Sequence, residues 1–355
     1  MTKKIIASLL ASLTVMTGIA HASSWLVCNG SKKIKWDSNS TSARINTGSF
    51  PAGPTLQSAQ RGINITNANP SKFTINHTTE SGGVGRGNGQ NEIYASDISP
   101  PGVARMRYHC YWAFGTRAGL DEVDIVLDSG RSWTNSRNKN HHNVYGGSGR
   151  PIEPVIVHEA GHYLGLMHVN SEYNIMGDSW KHHHTNGSTT KSYFGEDASR
   201  GAIKMYGAQS SRFEDLSASH WRYTGSSGEY SSHGRTRMFA SNGTTVLTER
   251  DVEGEPGYIV NRGDNLRAEF TIENNGKNTQ ANVRYGIYIS TNDFISRFDR
   301  RVRTGGWSSI HPENVATQQF SFRVPNDLVR GRKYWVGIRV DDTNVVSETT
   351  GTNNV

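Results

Sequence analysis

The chain has 355 residues, with 38 Lys and Arg against 31 Asp and Glu for a formal charge of +7, and only two cysteines. That length suggests two domains or three small ones, and a hydrophobic share of 34% with 38 glycines implies modest cores joined by many loops. Two cysteines exclude a disulfide-dense mini-scaffold and a four-cysteine zinc site, no apolar run after residue 22 is long enough to span a membrane, and +7 over this length is too mild to imply nucleic acid.

Lys3 and Lys4 precede a charge-free, largely apolar stretch from Ile5 to Ile19. Ala20-His21-Ala22 then fits the small-x-small cleavage rule, so residues 1–22 read as a bacterial-type signal peptide cut after Ala22. The competing reading, a membrane anchor, is disfavoured by the short apolar run and the cleavage site. Export makes a disulfide between Cys28 and Cys110 the expectation, the alternative being a thiolate that caps a metal until it is removed.

Pro51 to Pro70 reads as a helix, with Pro54 in the first turn and Leu56, Ala59 and Ile63 on one face. Phe73 to Asn76 reads as a strand, Ser81 to Gly89 as a solvent-facing glycine-rich loop, and Glu92 to Ala95 as a second strand. Val103 to Phe114 and Val123 to Leu127 are further strands. Helices are expected over Pro151 to Leu166 and Glu196 to Tyr206. One helix, a run of strands and two more helices describe helices layered on one sheet. Gln209 to Thr245 is rich in Ser and Gly and reads as a connector with one or two strands. From Asp251 onward, Leu266–Ile272, Val283–Ile289, Phe320–Val324 and Tyr334–Val340 alternate apolar and polar residues between polar turns, the pattern of an immunoglobulin-like sandwich.

The chemistry is concentrated in His158-Glu159-Ala160-Gly161-His162-Tyr163-Leu164-Gly165-Leu166-Met167-His168. Histidines four apart on a helix point the same way, so His158 and His162 can share one zinc ion. Gly165 allows a sharp turn that returns His168 as a third nitrogen ligand. Glu159 lies beside an open fourth position, where a water acidified by zinc could lose its proton to the carboxylate during attack on a carbonyl. Asn174-Ile175-Met176-Gly177 follows eight residues after His168.

This arrangement resembles the metzincin metallopeptidases, in which Met176 would be the floor of a Met-turn and not a ligand. The short spacing from His168 to Met176 is similar to the matrixin and adamalysin branch, and Phe194 to Gly207 is similar to the closing helix of matrixin catalytic domains. The resemblance covers roughly 25–208. It departs from the family in lacking a recognisable cysteine-switch propeptide, since Val27-Cys28-Asn29-Gly30 is unlike the switch segment. The resemblance implies an endopeptidase with one catalytic zinc, calcium at unplaced ligands, and a substrate added as a strand along Val103 to Tyr108. Trp180 and Tyr193 are expected near the pocket for the residue after the cut, each with a plain solvent-exposed role as the alternative.

Other features read more simply. His182-His183-His184 is expected to be an exposed polar loop, His141-His142 a loop, and Arg262-Gly263-Asp264 a turn. Arg297 to Arg303 reads as a solvated strand face. The tail resembles the bacterial cell-adhesion-related CARDB domain through Asn274-Asn275-Gly276, Tyr288-Ile289-Ser290 and the ending Asp341-Asp342, Glu348 and Asn353-Asn354.

The expectation is therefore an α+β metzincin-like catalytic domain, with a twisted mixed sheet plus helices, followed by an all-β immunoglobulin-like sandwich. The divisions are 1–22 signal peptide, 23–208 protease, 209–250 connector and 251–355 sandwich. The expected function is a secreted, extracellular zinc endopeptidase acting on protein or peptide substrates as a monomer. Glu159 would be its base, and His158, His162 and His168 its ligands. The alternative is an extracellular adhesin whose protease-like domain is incidental; the retention of Glu159 and all three histidines favours the enzyme.

Overall fold

The computed structural model describes residues 14–15, 23–28, 32–99, 103–113 and 117–355. Of the expected leader only 14–15 are described, so the cleavage site after Ala22 lies outside the described residues. The side chains of Cys28 and Cys110, and hence the pairing expected between them, also lie outside what is described.

The first half is built on a five-stranded sheet. Its elements are Ser40–Asn46 (β1), helix Pro54–Asn67 (α1), Thr74–Glu80 (β2), Glu92–Ser96 (β3), Ala104–Ala113 (β4) and Arg117–Asp128 (β5). The strand order is β2-β1-β3-β5-β4. All neighbours are parallel except β4, which runs antiparallel to β5 at the sheet edge. Alternation along β5 explains the layering. Val123, Ile125 and Leu127 join Ile45, Ile63, Ile75 and Ile93 in the main core, while Val126 turns the other way and packs with Tyr94 and Ile98. Each such burial contributes about 1.5–3 kcal/mol by transfer from water.

Helix Ile152–Tyr163 (α2) is buried on every face. It packs on α1 and β5 and carries the histidine motif. Its first turn holds Pro154 and the acidic Glu153, both suited to a helix start. Glu153 also receives Arg61 Nε at 2.9 Å and Arg137 Nε at 2.8 Å, tying α2 to α1 and to the loop before it. A hairpin of His183–Asn186 (β6) and Thr189–Ser192 (β7) follows, then helix Glu196–Tyr206 (α3).

The segment 209–250 contains four strands: Leu216–Ser219 (β8), Trp221–Ser227 (β9), Tyr230–Arg235 (β10) and Met238–Ala240 (β11). They do not form a separate spacer. β8 and β11 both pair with Asn265–Asn274 (β12), one after the other along its length, and Val315–Arg323 pairs on its far side. The opposing sheet places Gln280–Ser290 between Arg300–Ile310 and Trp335–Val340, with Thr14–Val15 also paired to Arg300–Ile310. Leu216 and Ala218 share its core with Ile272, Val283, Ile287, Trp307 and Phe320, as two-sheet packing requires. Arg297, Arg300, Arg301 and Arg303 are exposed, as expected of a solvated face.

The expectation for His182-His183-His184 is overturned: all three are buried. Their partners come from far along the chain, which no local pattern could reveal. His182 Nε2 lies 3.2 Å from Glu273 Oε1 on β12, and its ring lies tilted against those of Tyr173 and Tyr193. His183 Nε2 meets Tyr145 OH at 2.8 Å and accepts from Trp221 Nε1 at 3.3 Å. These contacts seal the N-terminal layers against the sandwich and its leading strands.

Candidate metal centre and active site

Three histidines converge. His168 Nε2 lies 2.9 Å from His162 Nε2 and 3.3 Å from His158 Nε2. Among the described residues this is the one group of three or more His, Cys, Asp or Glu side chains close enough to hold a metal ion. His158 and His162 are one turn apart on α2, which aligns their rings. His168 arrives by the turn at Gly165, whose φ of +93° is in the left-handed region that favours glycine.

The end of α2 is satisfied by long-range partners, which fixes that turn. Tyr206 OH donates to Leu164 O at 2.8 Å, Trp36 Nε1 to Tyr163 O at 2.8 Å, and the Leu26 amide to Gly165 O at 2.8 Å. Tyr206 is the tyrosine of the closing helix α3.

The outer nitrogens of the rings decide what the inner ones can do. His158 Nδ1 lies 2.7 Å from Ile175 O, and His162 Nδ1 lies 2.8 Å from Leu166 O. A carbonyl only accepts, so both Nδ1 atoms carry the proton and both Nε2 atoms present lone pairs. His168 Nδ1 faces Glu229 Oε2 at 3.4 Å. Such an arrangement of inward lone pairs suits a cation. The observed spacings also approach the roughly 3.3 Å between nitrogens of a tetrahedral site with bonds near 2.0–2.1 Å. Burial, then the neighbouring His168, lowers the His158 pKa to about 4, and burial with both neighbours takes His162 well below its usual value. Burial lowers His168 while Glu229 pulls it back up. All three thus favour the neutral form that binds metal.

The floor beneath is Met176, fully buried. A Cβ on Gly161 would lie 2.3 Å from its sulfur, so glycine at 161 is what lets the methionine sit directly under the two helical histidines. The turn itself is tied by Asn174, whose Nδ2 donates to Glu172 O at 2.9 Å and Val169 O at 3.1 Å. Ile175 from this turn supplies the carbonyl that orients His158. Glu159 is buried next to His158 on the same helix.

Of the two expected pocket aromatics, Trp180 is half-buried, with the Arg150 guanidinium 4.9 Å over its ring. Tyr193 is turned elsewhere: it donates to Glu273 of the sandwich. His142, expected as loop, is buried between two short 3-10 turns, with Nε2 2.7 Å from Ser136 O. Two residues near the histidines escaped the sequence reading, Glu229 and Tyr230. The Tyr230 ring centroid lies 4.3 Å from that of His168. The one available signal was a turn, Ser227-Gly228, between two aromatic-rich stretches.

Comparison with known proteins follows the two halves. Residues 109–207 match the Matrixin family model, and residues 251–355 match the CARDB family model. No curated protein matches the chain. Among solved structures, the solution NMR structure of the CARDB domain of a Pyrococcus furiosus protein is 17% identical, covering 41% of this chain and 90% of that one with a TM-score of 0.23. That superposition is too loose to add to the fold argument. The chain therefore joins a segment that matches matrixins, residues 109–207, to one that matches CARDB domains, residues 251–355.

Proposed function

We propose that the protein is a secreted zinc-dependent endopeptidase of metzincin type carrying a CARDB-type immunoglobulin-like module. The observation that carries this reading is the convergence of His158, His162 and His168 on one point, with two outer nitrogens held by carbonyls. Those three side chains would hold the ion. When bound, zinc supplies Lewis acidity and a water of near-neutral pKa at that point.

The remaining work falls to the chain. Glu159 takes the proton from the attacking water and delivers it to the leaving amine nitrogen. Met176 and the buried wall around it keep the histidine rings from shifting. β4, at the sheet edge among the described residues and antiparallel to its neighbour, is where an extended peptide could add as a further strand, which would align the scissile bond along the cleft. The leader pattern at 1–22 supports export. The CARDB match supports a binding or spacing role outside the cell for the C-terminal sandwich.

The test uses the full mature chain on casein with and without a chelator, alongside zinc analysis. Chelator-sensitive cleavage with one zinc per chain is expected. Glu159→Ala should keep the metal and lose at least about 10²–10⁴ of kcat/KM. A zinc-loaded wild type inert toward diverse proteins would replace this reading with the adhesin one.

A further inference from the structure

Two of the three converging histidines are oriented from within the segment that matches matrixins: His158 by Ile175 O and His162 by Leu166 O. His168 is not. Its Nδ1 is buried without a hydrogen-bond partner, and Glu229 Oε2 lies 3.4 Å away at the tip of the β9–β10 hairpin. That hairpin lies between the two family matches, in neither. The pair makes no hydrogen bond at this separation, but a small rotation of the Glu229 side chain would let it accept from Nδ1, and an imidazole so held is a more basic and better oriented ligand through its inner nitrogen.

The tip is not a loose loop brought near by chance. Asn170, two residues after His168, donates from Nδ2 to Gly228 O at 2.8 Å, and its own carbonyl accepts from Tyr223 OH at 3.1 Å. Ser231 on β10 fills the space that a side chain at Gly177 would need, so the hairpin abuts the Met-turn itself. Ser231 Oγ and His233 Nε2 lie 2.9 Å apart, and His233 stacks on Tyr173 at 4.6 Å. At the hairpin's base, Arg235 lies 3.9 Å over the Trp221 ring and 4.3 Å over that of Tyr145. Tyr230 covers the His168 ring between these anchors, close enough for the Glu159 and Glu229 charges to act on its hydroxyl.

We infer that Glu229 is the positioning carboxylate of His168, so that the hairpin 221–235 is a working part of the metal centre. The inference rests on the zinc reading of the three histidines. The Glu229 side chain is 58% exposed, and water weakens its hold. The effect therefore belongs near the bottom of the roughly 10- to 100-fold range typical of such partners.

The experiment measures zinc affinity of the full mature chain by competition with a chromogenic chelator, for wild type, Glu229→Gln and Glu229→Ala. It also records the visible spectrum of each protein reconstituted with cobalt(II). Glu229→Ala is expected to bind zinc about tenfold more weakly and to shift the cobalt bands, with Glu229→Gln between it and wild type, since the amide oxygen can still accept from Nδ1. Circular dichroism melts of the zinc-free proteins should coincide, because the side chain is at the surface. Wild-type affinity and spectrum in both variants would overturn the assignment and leave the three-histidine reading intact. A wild type that binds no zinc would overturn both.

Discussion

The protein contains two groups of three histidines, and they have opposite fates. His158, His162 and His168 bring one nitrogen each to a common point. His182, His183 and His184 are all buried but do not converge: His182 faces Glu273 and His183 faces Tyr145. The difference lies in backbone geometry. Spacing of four on a helix stacks side chains on one face, whereas consecutive residues entering a strand alternate faces. The number of histidines therefore says little about a metal site. Their spacing, and the direction in which the outer nitrogens are held, say much more.

Substitutions in the two groups should separate these roles, beginning with the largest effect. His162→Ala should abolish stoichiometric zinc and with it peptidase activity, whereas His183→Ala should keep its zinc. Its cost should appear as about 1–3 kcal/mol of stability, chiefly from the buried Trp221 Nε1 donor left without its acceptor, since Tyr145 OH keeps Thr185 and His220. Metal analysis beside urea melts reads both quantities. A His183→Ala protein lacking zinc would break the distinction.

Next is Gly161→Ala. Alanine favours the helix by up to about 1 kcal/mol, but its methyl would meet the fully buried Met176 sulfur at 2.3 Å, and overpacking a core costs about 1–3 kcal/mol. Crowding should win, giving a net loss of stability together with weaker zinc binding as the floor moves. A more stable Gly161→Ala protein would show that Met176 yields freely.

The smallest effect concerns acid. Burial, then Lys191 and Arg137, lower the His184 pKa to about 3. The unfolded chain protonates this side chain near pH 6.5. Its contribution to stability is therefore present above about pH 6.5 and is lost as pH falls toward 3, because the unfolded state binds the proton first. In the presence of a chelator, which removes any bound metal from the comparison, His184→Gln should show a shallower fall in Tm between pH 6.5 and 4 than wild type. Parallel curves would place the acid sensitivity elsewhere, with His183, His220 and His233, whose pKa values burial also lowers, as its source.

Much of the region around the three histidines was legible because its information is local. α2 starts where Pro154 suits a first turn and turns where Gly165 takes a positive φ. α3 spans the expected Glu196 to Tyr206, and the sandwich strands follow their alternation. The segment after Gly207 was opaque for the opposite reason. β8 and β11 form because β12, which follows them in the chain, offers its edge. The β9–β10 hairpin is held by Asn170 and by the close approach of Ser231 to Gly177, not by any periodicity of its own.

From its sequence alone, then, this protein had a helix bearing His158, Glu159 and His162, a turn at Gly165, Met176 beyond it, and an alternating all-β tail. Helical spacing, glycine conformation and strand alternation act over a few residues and need no distant partner. The tertiary structure alone decided which atoms orient each histidine ring, that Tyr193 and His182 face the sandwich, and that Glu229 comes to His168. The last two outcomes depend on groups sixty or more positions apart in the chain being brought within a few ångströms, and only the packed core does that.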